Sequence, residues 1–241
     1  MTLTRRHLVA AGLAAPALLK LGTGAAHAAT TLKLSHQFPG GTIDEGDFRD
    51  RMCRKFAKMV GERSKGALDV QVYPGSSLMK TNAQFGAMRK GALDMSLYPS
   101  PYAGGEIPEL NIGLMPALVT SYAQAVAWKA APVGRKLTEI LDAKGIILVS
   151  WVWQAGGVAS RERALVSPAD AKGMKVRGGS REMDMMLNEA GAATLSIPSN
   201  ESYAAMQNGA CPAVIPSSTS LHPFLLAEQS EPLTSRRARC Y

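Results

Sequence analysis

Ser167-Pro168-Ala169-Asp170-Ala171-Lys172-Gly173-Met174-Lys175-Val176-Arg177-Gly178-Gly179 reads as a turn, a second turn, a short strand and an arginine at the strand's end. Pro168 fixes φ and the Asp170 side chain bonds back to nearby backbone, so the first half turns. Gly173 makes the second turn, and Met174 to Arg177 heads into the interior as a strand. A guanidinium held at a strand end is a rigid, permanently charged fork that suits a carboxylate through two parallel hydrogen bonds. By residue type alone, a solvated arginine at a strand terminus fits the same letters.

Working outward, the flanking chain alternates helix and strand. Downstream, residues 180–190 read as a helix packed through Met183, Met186 and Leu187 and stopped by Gly191, followed by a strand at 193–197. Asn200 is expected to cap a helix over 201–208. Upstream, residues 32–35 alternate as a first strand, and 47–64 form an amphipathic helix through Phe48, Met52, Phe56 and Met59/Val60 that Gly66 stops. Residues 67–74 alternate with period two and end on Pro74, residues 78–90 read as a helix, and a strand runs from about 95 to 98. Two helices over 121–131 and 133–143 are separated by Pro132, which cannot continue the first. Residues 145–153 are nearly all apolar, the pattern of a parallel strand buried on both faces. This order predicts an α/β chain with a doubly wound sheet. A hinge is expected over 154–157, where Gly156-Gly157 relaxes the backbone.

Composition narrows the function classes. The chain of 241 residues is 46% hydrophobic and 19% charged, a globular balance. Residues 1–28 read as a targeting segment: Thr4-Arg5-Arg6-His7-Leu8 matches a twin-arginine signature, an apolar stretch follows to Leu21, and Ala26-His27-Ala28 fits the small-x-small cleavage rule. An ordinary secretory signal with two arginines is the other reading, and on either the protein is exported and cut after Ala28. Three of the 27 basic residues (Arg5, Arg6 and Lys20) fall in that segment, leaving 24 basic against 19 acidic, a balance of +5 from a formal +8. The remaining basic residues are scattered apart from Arg236, Arg237 and Arg239, which argues against a nucleic-acid groove. Cys53, Cys211 and Cys240 give neither a zinc spacing nor an even disulfide framework, so free thiols are expected, with a Cys53–Cys211 bridge as the alternative. GxGxxG, GxSxG and HExxH are all absent, and only His36 and His222 remain past the leader, which argues against an enzyme.

The run at 167–179 resembles PxDLKGxKxR, the segment that marks solute-binding proteins of tripartite ATP-independent periplasmic (TRAP) transporters of the dicarboxylate-binding DctP type. ERSKGALDVQVYPGSSL (62–78), MRKGALDM (88–95) and IPSNESYAAMQNGA (197–210) are similar to further pieces of that family, so the resemblance extends from about Leu32 to Glu228. It implies a periplasmic solute-binding protein fold, two α/β lobes joined by hinges around a cleft, with lobe I at 29–154 and lobe II at 155–241. It also implies that Arg177 grips the ligand carboxylate and that Arg163 supplies a second basic contact. His36 would sit in the first strand-to-helix loop bordering the cleft, and Trp151 or Trp153 would form an apolar wall. Where the family places an Asp and a later hydrogen-bonding residue, this chain has Pro212 and Pro216, so Ser217, Ser218 and Thr219 are the candidate replacements. Asp94 reads as a turn or cap residue rather than an acid. Surface charge remains the other reading for Arg161 and Arg163, loop polarity for His36, and core packing for the tryptophans.

The resemblance implies capture of a small organic acid and its delivery to TRAP membrane permease subunits, with no cofactor. The alternatives are a binding protein of an ATP-driven importer, or a non-functional remnant. The family continues past the point where Ser230 to Tyr241 turns into an arginine-rich stub, so the fold is expected to be incomplete at the C-terminus.

Overall fold

The computed structural model describes residues 28–229 and the backbone of 233–234. The twin-arginine run, Cys240 and the terminal arginines lie outside the described residues.

Two separate sheets carry the α/β architecture. In the first, β1 (Thr30–His36) lies between β2 (Leu68–Tyr73) and β3 (Met95–Leu97), all parallel, with Leu32 opposite Val70, and Leu34 opposite both Val72 and Met95. Parallel neighbours need crossovers. They are supplied by α1 (Phe48–Arg63) and by a 3₁₀ turn, Thr81–Ala83, that runs into α2 (Gln84–Arg89). Asp47 caps α1 by accepting from Arg49 N–H, and Gly66 (φ +80°) closes its far end by donating to Gly61 C=O. The apolar stripe of α1 rests on the sheet through Cys53, Phe56, Ala57 and Val60, but Met59 is exposed. The most deeply buried residues of α1 are charged, Arg49 and Asp50 in its first turn.

The second sheet has the order β6-β5-β7-β4-β8, from β4 (Val158–Ser160), β5 (Lys175–Arg177), β6 (Ala193–Thr194), β7 (Ala213–Val214) and β8 (Leu233–Thr234). β5 is parallel to β6 and β7, whereas β4 runs antiparallel to β7 and β8, so this sheet is mixed. α5 (Arg181–Glu189) and α6 (Ser202–Gln207) make the crossovers, and Val176, Met206, Cys211 and Val214 are sealed from solvent between them. Ser180 caps α5 by accepting from Met183 N–H. Asn200 does not cap α6: a 3₁₀ turn, Ser199–Glu201, precedes that helix, and the Asn200 carbonyl oxygen accepts from the Thr81 hydroxyl instead. Cys53 and Cys211 are buried free thiols.

In the chain, α3 (Tyr122–Trp128) and α4 (Pro132–Asp142) follow the first sheet and precede the second, with Pro132 in the first turn of α4 where a missing N–H costs nothing. The expected buried strand over 145–153 is not there. The run forms no strand and pairs with none among the described residues, and Ile147 and Val149 are 79% and 66% exposed. Ile146, Leu148, Trp151 and Trp153 turn the other way, onto the helical core around Trp128, Leu137 and Leu141. β-Branched residues fix an extended backbone, but a strand also needs a neighbouring ladder, which no sequence period can guarantee. Beyond it, Gly157 N–H donates to Pro216 C=O and Ser218 N–H to Ala155 C=O, tying 155–157 to 216–218.

Candidate functional site

β5 ends with Arg177 pointing into the space between the two sheets, 3% exposed. Its Nε donates to Ile197 C=O (3.0 Å), Nη1 to Ile215 C=O (3.3 Å) and Nη2 to the Tyr102 hydroxyl (2.9 Å). A guanidinium carries five N–H groups, so one on each terminal nitrogen is left without a partner among the described residues. No carboxylate among them comes within ion-pair distance. A Cβ at Gly178 would meet Asp184 Oδ1, so a larger residue there would have to displace the Asp184 carboxylate. Tyr102, on the 3₁₀ turn Ser100–Ala103, also accepts from Ser199 N–H (3.0 Å). Burial pushes its phenol up, but the Arg177 charge, with Ser199 and the nearby Gln37 amide, outweighs burial and leaves it below its ordinary value.

These groups face a cavity of about 700 Å³ with one polar end, where Gln37, Tyr102, Arg177 and Ser199 gather. Phe56, Phe85, Leu137 and Leu141 form much of its apolar wall. Gln37 is 2% exposed, and neither its amide oxygen nor its nitrogen makes a hydrogen bond of normal geometry. Arg49 also lines the cavity but is already neutralised: Nε and Nη2 lie 2.9 and 2.6 Å from the two oxygens of Asp47. Its Nη1 reaches Gln154 Oε1 (3.1 Å) and Ser220 Oγ (2.8 Å), and its carbon lies 3.8 Å over the Phe38 ring. Arg49 is thus a strut from α1 to the 217–220 segment rather than a free cation.

Of the residues singled out from sequence as ligand contacts, Arg177, Trp151, Trp153 and Ser217 line the cavity together. Trp153 stacks on Trp151 (6.0 Å between centroids, 12° between planes) and leaves Nε1 without a partner, so both core and wall readings of the tryptophans have substance. Ser217 Oγ binds Gln154 Oε1 (3.0 Å) and Ser220 Oγ (2.7 Å). Ser218 is set apart from the cavity, and the neighbouring hydroxyl on its wall belongs to Ser220. Arg163 is not among the residues that line the cavity. It is exposed and donates to Asp170 and Lys172 carbonyls (2.9 and 3.0 Å), pinning the turn ahead of β5. Asp94 accepts from Lys33 N–H, as a turn residue does.

His36 is fully buried and is not among the residues that line the cavity. Its Nε2 lies 3.1 Å from Asp50 Oδ1 and its Nδ1 accepts from Phe38 N–H, so the neutral ring already uses both nitrogens. Burial lowers its pKa below the ordinary 6.5, partly opposed by Asp50 and Asp47. A histidine held neutral in the fold contributes stability that is whole above the ordinary value and is lost as pH falls through the folded one. The melting temperature is therefore expected to drop from about pH 7 to about pH 5. His36→Asn should flatten that slope, and an equally steep slope in the variant would show that other groups cause it.

Gln37, Arg49 and Tyr102 went unread in the sequence. Gln37 adjoins His36 and points to the opposite side of the strand end, so alternation alone could have offered it. Arg49 looks like any charge on a solvated helix face, and Tyr102 meets Arg177 across 75 residues.

A family model described as bacterial extracellular solute-binding protein, family 7 (DctP) matches residues 42–219. A solute-binding protein of Albidiferax ferrireducens is 62% identical over 212 residues, covering 88% of this chain and 63% of that protein. The crystal structure of a TRAP periplasmic solute binding protein from Rhodoferax ferrireducens with bound malonate is 67% identical. It superposes with a TM-score of 0.83 over 85% of this chain and 65% of that one. A TRAP periplasmic solute binding protein from Sulfurospirillum deleyianum with bound succinate shares the fold at 21% identity, with a TM-score of 0.77 over 87% of this chain and 66% of that one. The chain therefore spans a little under two thirds of the length of these relatives.

Proposed function

Because this chain belongs to the DctP family of bacterial extracellular solute-binding proteins, we propose that it captures a small organic acid in the cavity, with the carboxylate seated on Arg177. The observation that carries this reading is the buried guanidinium with no described carboxylate in ion-pair distance and with N–H groups to spare. An isolated buried charge costs several kcal/mol, and a carboxylate held by two parallel bonds offsets that cost. The malonate in the 67% identical relative makes malonate the first ligand to try.

In this reading the protein binds without chemistry. Residues 29–154 and 155–241 act as lobes that swing about 154–157, and ligand favours the shut arrangement through contacts present only there. The loaded protein hands its acid to the membrane permease subunits of a TRAP system. That assignment is preferred to an ATP-driven importer because the matching solved structures are TRAP binding proteins. Residues 1–28 serve as an export leader, cut after Ala28, that delivers the protein to the periplasm.

Calorimetric titration of the purified chain with malonate is the direct test. Saturable binding with a rise in melting temperature is expected. No heat and no shift at millimolar malonate or other small carboxylates would leave the remnant reading standing.

A further inference from the structure

We infer that this cavity selects a monoanion, an acid whose single carboxylate is accompanied by a neutral donor–acceptor group such as a carboxamide, over a dianion. The inference rests on the role proposed above for Arg177 and adds the class of acid. It follows from the charges on the wall and from one unpartnered side chain.

Three charged side chains line the cavity among the described residues: Arg49, Asp94 and Arg177. Arg49 is spent, since both Asp47 oxygens hold its Nε and Nη2 and Gln154 and Ser220 hold its Nη1. Asp94 is itself a carboxylate and repels an anion. Arg163, the second cation that the sequence suggested, is outside on the turn before β5. Among the described residues, only the Arg177 charge remains to meet a ligand. A second carboxylate brought into the same cavity would lose its water with no cation to replace it, a cost large enough to neutralise the group instead.

Gln37 specifies what lies beside the carboxylate. At 2% exposure, its amide offers one acceptor oxygen and two donor hydrogens; neither end makes a hydrogen bond of normal geometry, although the amide lies close enough to the Tyr102 hydroxyl to help lower that phenol. Buried polar groups left this way are costly, so a ligand that satisfies both ends gains most. An ionised carboxylate only accepts, and would leave the Gln37 oxygen facing negative charge. A carboxamide both donates and accepts, and pairs with Gln37 through two reciprocal bonds. The other unpartnered polar atom on the wall, Trp153 Nε1, is a neutral donor and adds no charge.

Malonate and malonamate separate these cases, because they share one carboxylate and one carbon skeleton and differ only in whether the second group is ionised. Both are titrated calorimetrically into the purified chain at about pH 7.5, where malonate is doubly ionised. Malonamate is expected to bind more tightly by about tenfold or more, the least that one uncompensated charge should cost. Malonate should take up a proton on binding, seen as a heat that varies with the buffer's ionisation enthalpy. Gln37→Leu should bring the two affinities close together, mainly by weakening malonamate. Malonate binding as tightly as malonamate without proton uptake would overturn the inference and leave the Arg177 reading intact. A preference for malonamate that survives Gln37→Leu would overturn the role of Gln37. If neither compound nor any simple carboxylate binds, the reading of the site itself fails and this inference fails with it.

Discussion

Arg177→Ala is expected to eliminate the melting-temperature rise that a carboxylate gives and to weaken its binding by about 30-fold or more. Removing one partner of a buried, hydrogen-bonded charge pair costs about 2–5 kcal/mol, which is the source of that figure. Arg177→Lys sharpens the test. Lysine keeps the charge but replaces the planar fork with a point charge, so it cannot hold Ile197 C=O, Ile215 C=O and the Tyr102 hydroxyl while still presenting two parallel N–H groups. It should bind weakly, between the alanine variant and the native chain. Without ligand the alanine variant should melt close to the native protein. Two carbonyls lose a donor, at about 1–3 kcal/mol each, but an uncompensated buried cation disappears as well. Equal ligand affinity in native and alanine proteins would remove Arg177 from the site.

Asp47→Ala should be the most damaging single change to the fold itself, at about 3–5 kcal/mol, because it leaves Arg49 buried and charged with no anion beside it. Asp47 is 5% exposed and Arg49 1%, so solvent cannot stand in. The same carboxylate accepts from Arg49 N–H (2.8 Å) and caps α1, which adds to the loss. Asp47→Ala combined with Arg49→Met should be more stable than Asp47→Ala alone, since the orphan charge goes with its partner. Urea unfolding of the native, single and double variants measures this. A single variant within about 1 kcal/mol of native would mean that water or another anion reaches Arg49.

The readable parts of the sequence were those governed by local chemistry. Asp170 gathers Val166 N–H, Ser167 N–H and the Ser167 hydroxyl within 3.0 Å, so the turn before β5 is built from neighbours in the chain. Those bonds hold the Asp170 carboxyl below its ordinary value. Gly66 and Gly191 stop their helices at positive φ for equally local reasons. Tertiary partners were not readable in this way. Arg163 and Arg177 are both arginines close to turns and strands. One bonds two carbonyls of its own turn, while the other meets Tyr102, 75 residues away. His36 looked like loop polarity, but α1 puts Asp50 against it and seals both. The apolar run at 145–153 shows the same limit from the other side: its letters favour an extended backbone and leave its neighbour unspecified.

The Arg49 strut also bears on time as well as on energy. Its bonds to Gln154 and Ser220 close loops of 105 and 171 residues, so the chain must lose much of its freedom before either bond can form. Closing loops of that length is what makes folding slow where such contacts belong to the barrier. Interactions absent at the barrier leave the folding rate alone and slow the reverse step. A single arginine in the first turn of α1 therefore acts as a brake on unfolding to the extent that its bonds form after the barrier, and the unfolding rate of an Asp47→Ala, Arg49→Met double variant measures that extent.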